Sequence, residues 1–157
     1  MLNQDYKDIL STLLKNDVDF LLVGAYAMAA HGFPRATADI DIFVRSGSAN
    51  ANKLYKAIVE FGAPANDINV SDFEKPGLIF QIGVAPRRID IINMIDGVSF
   101  GEADKDKVII EIEGLKVPTI SKEKLITNKR STGRDKDRLD AEKLSNTNHN
   151  VTDKNMS

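Results

Sequence analysis

Residues 19–44 read DFLLVGAYAMAAHGFPRATADIDIFV: two apolar runs of strand length, separated by a Gly-led turn, a short helix and a Gly-Pro loop. Phe20 to Val23 forms the first run, and Gly24 to Ala30 reads as the helix. The second run, Ile40 to Val44, carries Asp39 at its entry and Asp41 inside it. At Gly24 and Ala25 the absent or minimal side chain lets the backbone come close to a ligand, and the first N–H groups of the following helix lack intrahelical acceptors. Such a turn is a seat for phosphate.

Residues i and i+2 of a strand share a face, so Asp39 and Asp41 project together while Ile40, Ile42 and Val44 project to the other side. Neighbouring carboxylates repel unless a cation lies between them, and hard oxygen donors of this kind suit Mg²⁺, which also takes phosphate oxygens. Alternation by itself equally describes a half-buried strand with acids on its wet face. A further acid, Asp90, stands between Ile89 and Ile91. Burying it without a partner is costly, so it needs a wet face, a cation, or an ion pair with Arg88, two residues earlier on the same face.

In combination these features resemble the nucleotidyltransferase superfamily that includes DNA polymerase β. The matching residues are Gly24-Ala25, then Asp39-Ile40-Asp41 after thirteen residues, Tyr26 to Ala38. The match continues through Arg35-Ala36-Thr37, Arg88-Ile89-Asp90, Leu125-Ile126 with Asn128-Lys129, and Gly133-Arg134 with Lys136-Asp137. It departs at Ala25, where the family carries Gly or Ser, so no hydroxyl is available there. The resemblance implies an α+β nucleotidyltransferase fold, a mixed β-sheet backed by helices, with the first strands carrying the site on one edge and a helical C-terminal segment. It implies transfer of an NMP group from a nucleoside triphosphate to an acceptor hydroxyl, with Asp39, Asp41 and Asp90 as catalytic residues and as ligands of two Mg²⁺ or Mn²⁺ ions. Gly24, Ala25, Tyr26, Arg35, Thr37, Lys129 and Arg134 are the phosphate- or substrate-binding candidates that it supplies. The acceptors of small members are tRNA, a partner protein's tyrosine or an antibiotic. Some work as toxin–antitoxin components with a helical partner, and the alternative is a degenerate member that only binds.

The remaining sequence bounds this reading. With 157 residues the chain has the length of one domain, placed at 1–144, and the polar stretch 145–157 reads as a disordered tail. There is no cysteine, which excludes disulfides and thiolate metal sites. Twenty-one basic against 23 acidic residues give a net charge of -2, which argues against broad nucleic-acid binding; 6% aromatics argue against a single-strand stacking platform. The polar start and the lack of a membrane-length apolar run predict a cytoplasmic protein.

Apolar periodicity predicts helices over 3–15, over 48–61 with Ser48 as cap and Gly62 as stop, and over 121–130 after a Ser121 cap. A last helix runs on from Gly133 to near Leu144, and a short acidic helix spans 99–106. Strands are expected at Leu78 to Val84 and Arg88 to Met94, forming a hairpin, and at Val108 to Ile112 and Leu115 to Val117, forming another. Residues 63–77 read as a loop able to touch the acceptor, His31 as a structural helix-end residue or a substrate contact, and Asp137 and Asp140 as surface partners of Lys136 and Lys143.

Overall fold

The computed structural model describes residues 2–34, 39–66, 68–85 and 87–156, the last ten of these by backbone alone. Arg35 and Thr37 therefore lie outside the described residues. The chain opens with helix α1 (Gln4–Lys15), whose Asn3 side chain accepts from the Tyr6 N–H and whose Tyr6, Ile9, Leu10 and Leu13 form one buried stripe. Strand β1 (Phe20–Val23) runs straight into α2 (Gly24–Ala30), and β2 (Ile40–Val44) follows. Helix α3 (Ser48–Phe61) ends at Gly62 in the left-handed conformation, as its sequence predicts. Its N-cap is Gly47, at φ 105°, and Ser48 is the first helical residue, not the cap.

Then come a 3₁₀ turn (Val70–Phe73), the hairpin β3 (Ile79–Ile82) and β4 (Ile89–Ile92), and the short Ser99-capped helix α4 (Phe100–Lys105). A second hairpin, β5 (Val108–Ile112) and β6 (Leu115–Thr119), turns through Glu113 at φ 47° and Gly114 at φ 87°. Helices α5 (Lys122–Ser131), capped by Ser121, and α6 (Asp135–Met156) complete the chain. The α6 backbone continues past Leu144, where the sequence reading ends it: no Gly or Pro follows to stop it, and extending a helix already nucleated costs little.

Among the described residues, six strands form one mixed sheet in the order β3-β4-β2-β1-β6-β5. The β1/β2, β3/β4 and β5/β6 pairs are antiparallel, whereas β2/β4 and β1/β6 are parallel. β1 and β2 are thus the two central strands and not an edge pair, and the acids lie on the inner strands β2 and β4. The sheet is covered on both faces, and strand alternation decides which residue faces which layer. Phe20, Leu22, Ile40, Ile42, Val44, Ile89 and Ile91 pack with α1 and α3. Leu21, Val23 and Phe43 pack with Ala27 and Met28 of α2, Phe100 of α4, Leu125 of α5 and Leu144 of α6. Asp41 and Asp90 fall in register with this second face, so the layer that receives them is the one built by α2, α5 and α6.

Residues 63–77 form a mostly irregular segment around the 3₁₀ turn, anchored at two points. Phe73 is buried with Leu54 and Ile58 in the α1/α3 layer, and Asn93, just past β4, holds the segment's end. The Asn93 amide oxygen accepts from the N–H groups of Gly77 and Leu78 at 2.8 Å, and its NH₂ donates to the Lys75 carbonyl at 2.7 Å. The end of the segment is thereby tied to the residue that follows β4.

Candidate active site

Val23 pairs with Asp41 in the β1/β2 ladder, so the residue after Val23 lies directly beside the Asp41 side chain. That residue is Gly24, at φ +68°, and a Cβ there would stand 2.2 Å from Asp41 Oδ2. Glycine is required twice, by the left-handed backbone and by the approach of the carboxylate. Val23 occupies the N-cap of α2 and supplies no side-chain hydrogen bond to the first N–H groups of this seven-residue helix. His31, at the other end of α2, has Nε2 2.8 Å from the Ile120 carbonyl oxygen and fastens the helix to the end of β6, a structural role.

Asp41 also pairs laterally with Asp90 across the parallel β2/β4 ladder, so the two carboxyls stand side by side on one face. The Asp41 carboxyl is pushed from its ordinary 3.8 up to about 7. Burial is the largest cause, followed by the negative charge and hydrogen bond of Asp90 and then the charge of Asp39; Lys129 works in the opposite direction.

Asp39 and Asp90 share one counter-ion. Arg88 Nε lies 2.7 Å from Asp90 Oδ1 and Nη2 3.2 Å from Asp90 Oδ2, a bidentate pair. Nη2 is also 3.1 Å from Asp39 Oδ2, while the Arg88 backbone N–H donates to Asp39 Oδ1 at 3.1 Å. The ion pair anticipated as the structural alternative for Asp90 is therefore present, and it extends to Asp39. Behind it the Tyr6 hydroxyl donates to the Arg88 carbonyl at 3.1 Å, and the Tyr26 ring stands edge-on against Tyr6, with centroids 5.6 Å apart. Neither Tyr26 nor Ala25 lines the cavity in front of Asp41.

That cavity, of about 360 Å³, opens between the second sheet face and the α5–α6 junction. Val23, Gly24, Asp41 and Ile92 form its floor; Met94, Ile95 and Asp96 form one wall; Asn128, Lys129, Thr132, Arg134 and Asp137 form the other. The Asn128 side chain donates to the Asp96 carbonyl at 2.9 Å, which closes the two walls together. Lys129 and Arg134, expected from the sequence, are both on the cavity. Asp137 and Asp140 are not the surface partners of Lys136 and Lys143: they are only 6% and 3% exposed and both bind Lys129, because helix α6 turns that edge onto α5. Met94, Ile95, Asp96 and Thr132 were not singled out in the sequence, and nothing in their local pattern marks them, since the α5–α6 packing brings them to the cavity.

As arranged, and among the described residues, no three acid or imidazole side chains are set around a metal-sized space. The donor set nonetheless fits a divalent cation. Two carboxylates, Asp39 and Asp90, share one arginine, and a third, Asp41, faces the cavity beside them with its carboxyl raised to about 7. An all-oxygen set with surplus negative charge is what Mg²⁺ takes.

A Gly-led helix leaving one central strand and acids on its antiparallel neighbour recur in a fold shared with solved nucleotidyltransferase structures. A Thermotoga maritima protein, TM1012, described as a nucleotidyltransferase, superposes with a TM-score of 0.62 at 18% identity, covering 94% of this chain and 96% of that one. ANT(2")-Ia, in complex with adenylyl-2"-tobramycin, gives 0.60 at 17% identity over 91% of this chain and 86% of its own. The lincosamide antibiotic adenylyltransferase LnuA, lincomycin-bound, gives 0.56 at 17% identity over 92% and 97%. The chain belongs to the family described as nucleotidyl transferase of unknown function, DUF2204, whose model matches residues 2–156. Comparison with curated protein sequences finds no match.

Proposed function

We propose that this nucleotidyltransferase moves a nucleoside monophosphate from a nucleoside triphosphate, in a Mg²⁺-dependent reaction, to the hydroxyl of tRNA or of a partner protein, as one half of a toxin–antitoxin pair. The observation that carries the reading is Asp41: a carboxylate at the floor of a cavity, against a glycine with no room for a side chain, charged against its neighbours and faced by Lys129. Asp41 and Asp39, with Asp90, would hold the metal, whose contribution when bound is to neutralise the phosphates and the crowded acids. Gly24 gives the phosphates close access to the backbone, and Lys129 and Arg134 neutralise them from the opposite wall. The acceptor oxygen attacks the α-phosphorus in line, the bond to the bridging oxygen breaks, and pyrophosphate leaves. The hydroxyl proton passes to the Asp90 carboxylate, which Arg88 holds in place. Arg35 and Thr37 stay in the proposal as phosphate contacts from the resemblance alone.

The location proposed is the cytoplasm, where nucleoside triphosphates are supplied; among the described residues no helix is long and apolar enough to cross a membrane. The working domain is residues 1–144. A small antibiotic is the second acceptor class, suggested by the adenylyl-tobramycin and lincomycin complexes of the two structural neighbours. Thermal unfolding with each of the four nucleoside triphosphates, with and without Mg²⁺, tests the donor half of the reading. One nucleotide at ~100 times its dissociation constant adds about 2.7 kcal/mol, roughly 5–10 °C here, in a Mg²⁺-dependent manner that Asp39→Asn abolishes. No shift with any nucleotide would make the chain a non-catalytic interaction module.

A further inference from the structure

We propose that Asp137 and Asp140 are positioning residues that aim the Lys129 ammonium at the triphosphate. The inference rests on the nucleotidyl-transfer reading above. Lys129 is carried on α5, yet both carboxylates come from α6, so the contact ties the two helices across the rim of the cavity. Lys129 Nζ lies 3.3 Å from Asp137 Oδ1 and 3.4 Å from Asp140 Oδ2, and the side chain is only 14% exposed. Asp137 is itself held: the Thr132 hydroxyl donates to its Oδ2 at 2.8 Å, and Arg134 Nε stands 2.7 Å from the same oxygen. Burial alone would raise the Asp137 carboxyl, but the Thr132 hydroxyl, Lys129 and Arg134 outweigh it and keep it below its usual range.

Two buried carboxylates on one lysine are a poor device for stability, since the desolvation they suffer offsets most of their attraction. They are a good device for direction. A free lysine loses most of its rotamer freedom when it binds an anion; here that freedom is already gone. Two of the three ammonium hydrogens point at α6, which leaves the third for the cavity that Lys129 lines. Its charge is felt across that cavity by Asp41, so the ammonium lies within electrostatic reach of the acid centre. Arg134, three-quarters exposed, extends the same cluster outward.

The test is a double-mutant cycle read by calorimetric binding of inorganic triphosphate in the presence of Mg²⁺, a probe that needs no knowledge of the base. Lys129→Ala and Asp140→Asn should each weaken binding about tenfold. In the Lys129→Ala background Asp140→Asn should add nothing, because it acts only through the lysine, and Asp140→Glu should recover part of the loss. An Asp140→Asn effect of equal size in both backgrounds would show a merely structural role and overturn the inference, as would no effect in the wild-type background. Asp137→Asn, carried through the same cycle, keeps the test open should Asp140→Asn fail to fold. If the wild-type protein binds no triphosphate, the phosphate reading itself falls, and this inference with it. Wild-type binding that is lost in Lys129→Ala but intact in Asp140→Asn overturns the inference alone.

Discussion

Replacing Asp41 by Asn should make the protein more stable at neutral pH while it abolishes turnover. In the folded chain this carboxyl titrates near 7, against 3.8 for the same group in water. Between those two values the folded state binds a proton that the unfolded state does not, so stability falls as pH rises from about 4 to about 7 and stays low above. The gap of about three pH units, at ~1.36 kcal/mol each, sets a ceiling of roughly 4 kcal/mol. Relaxation of the paired acids reduces the recoverable part to about half, ~2 kcal/mol, or roughly 4–8 °C in a chain of this size. Asparagine keeps the shape without the charge. Thermal unfolding of both proteins from pH 4 to pH 8.5, without Mg²⁺, should show the Asn variant ahead at pH 8 and the difference closing towards pH 4. A variant no more stable than wild type at pH 8, or an advantage independent of pH, would refute the electrostatic account of the site.

Three other substitutions probe its neighbours. Gly24→Ala places a Cβ 2.2 Å from Asp41 Oδ2 on a backbone at φ +68°; about 1–3 kcal/mol for the clash and a further ~1 kcal/mol for the left-handed backbone should appear in denaturant unfolding, with nucleotide binding lost. Arg88→Leu removes the counter-ion shared by Asp39 and Asp90 and should destabilise by ~2–4 kcal/mol at pH 8, a loss that added Mg²⁺ partly restores; a loss insensitive to Mg²⁺ would mean the acids do not take the metal. Asn93→Ala deletes three hydrogen bonds to the 75–78 backbone and should cost about 2–3 kcal/mol in urea unfolding while nucleotide binding by the folded variant is unchanged.

Most of the scaffold is legible in local chemistry. Phe20–Val23, Gly24–Ala30 and Ile40–Val44 stand where the apolar runs, the Gly turn and the i, i+2 acids put them, because those patterns are short-range. The hairpins were legible for the same reason. What escaped depends on packing between distant segments. Asp137 and Asp140 have lysines beside them in sequence, and only the docking of α6 on α5 gives them Lys129 instead. The polar segment 63–77 shows no period; its position is decided by Phe73 in the α1/α3 layer and by Asn93. Gly24 could be read as a turn, but that its missing Cβ leaves room for Asp41 needs the β1/β2 register.

The most direct measurement follows the phosphorus. The protein with Mg²⁺ is incubated with each nucleoside triphosphate labelled at the α- or the γ-phosphate, in the presence of total tRNA, of candidate protein acceptors including the chain itself, and of aminoglycoside and lincosamide antibiotics. The account predicts that α-label moves to one acceptor, that γ-label leaves as pyrophosphate, and that Asp41→Asn does neither. Movement of γ-label to an acceptor, or α-label transfer that survives Asp41→Asn, would contradict it.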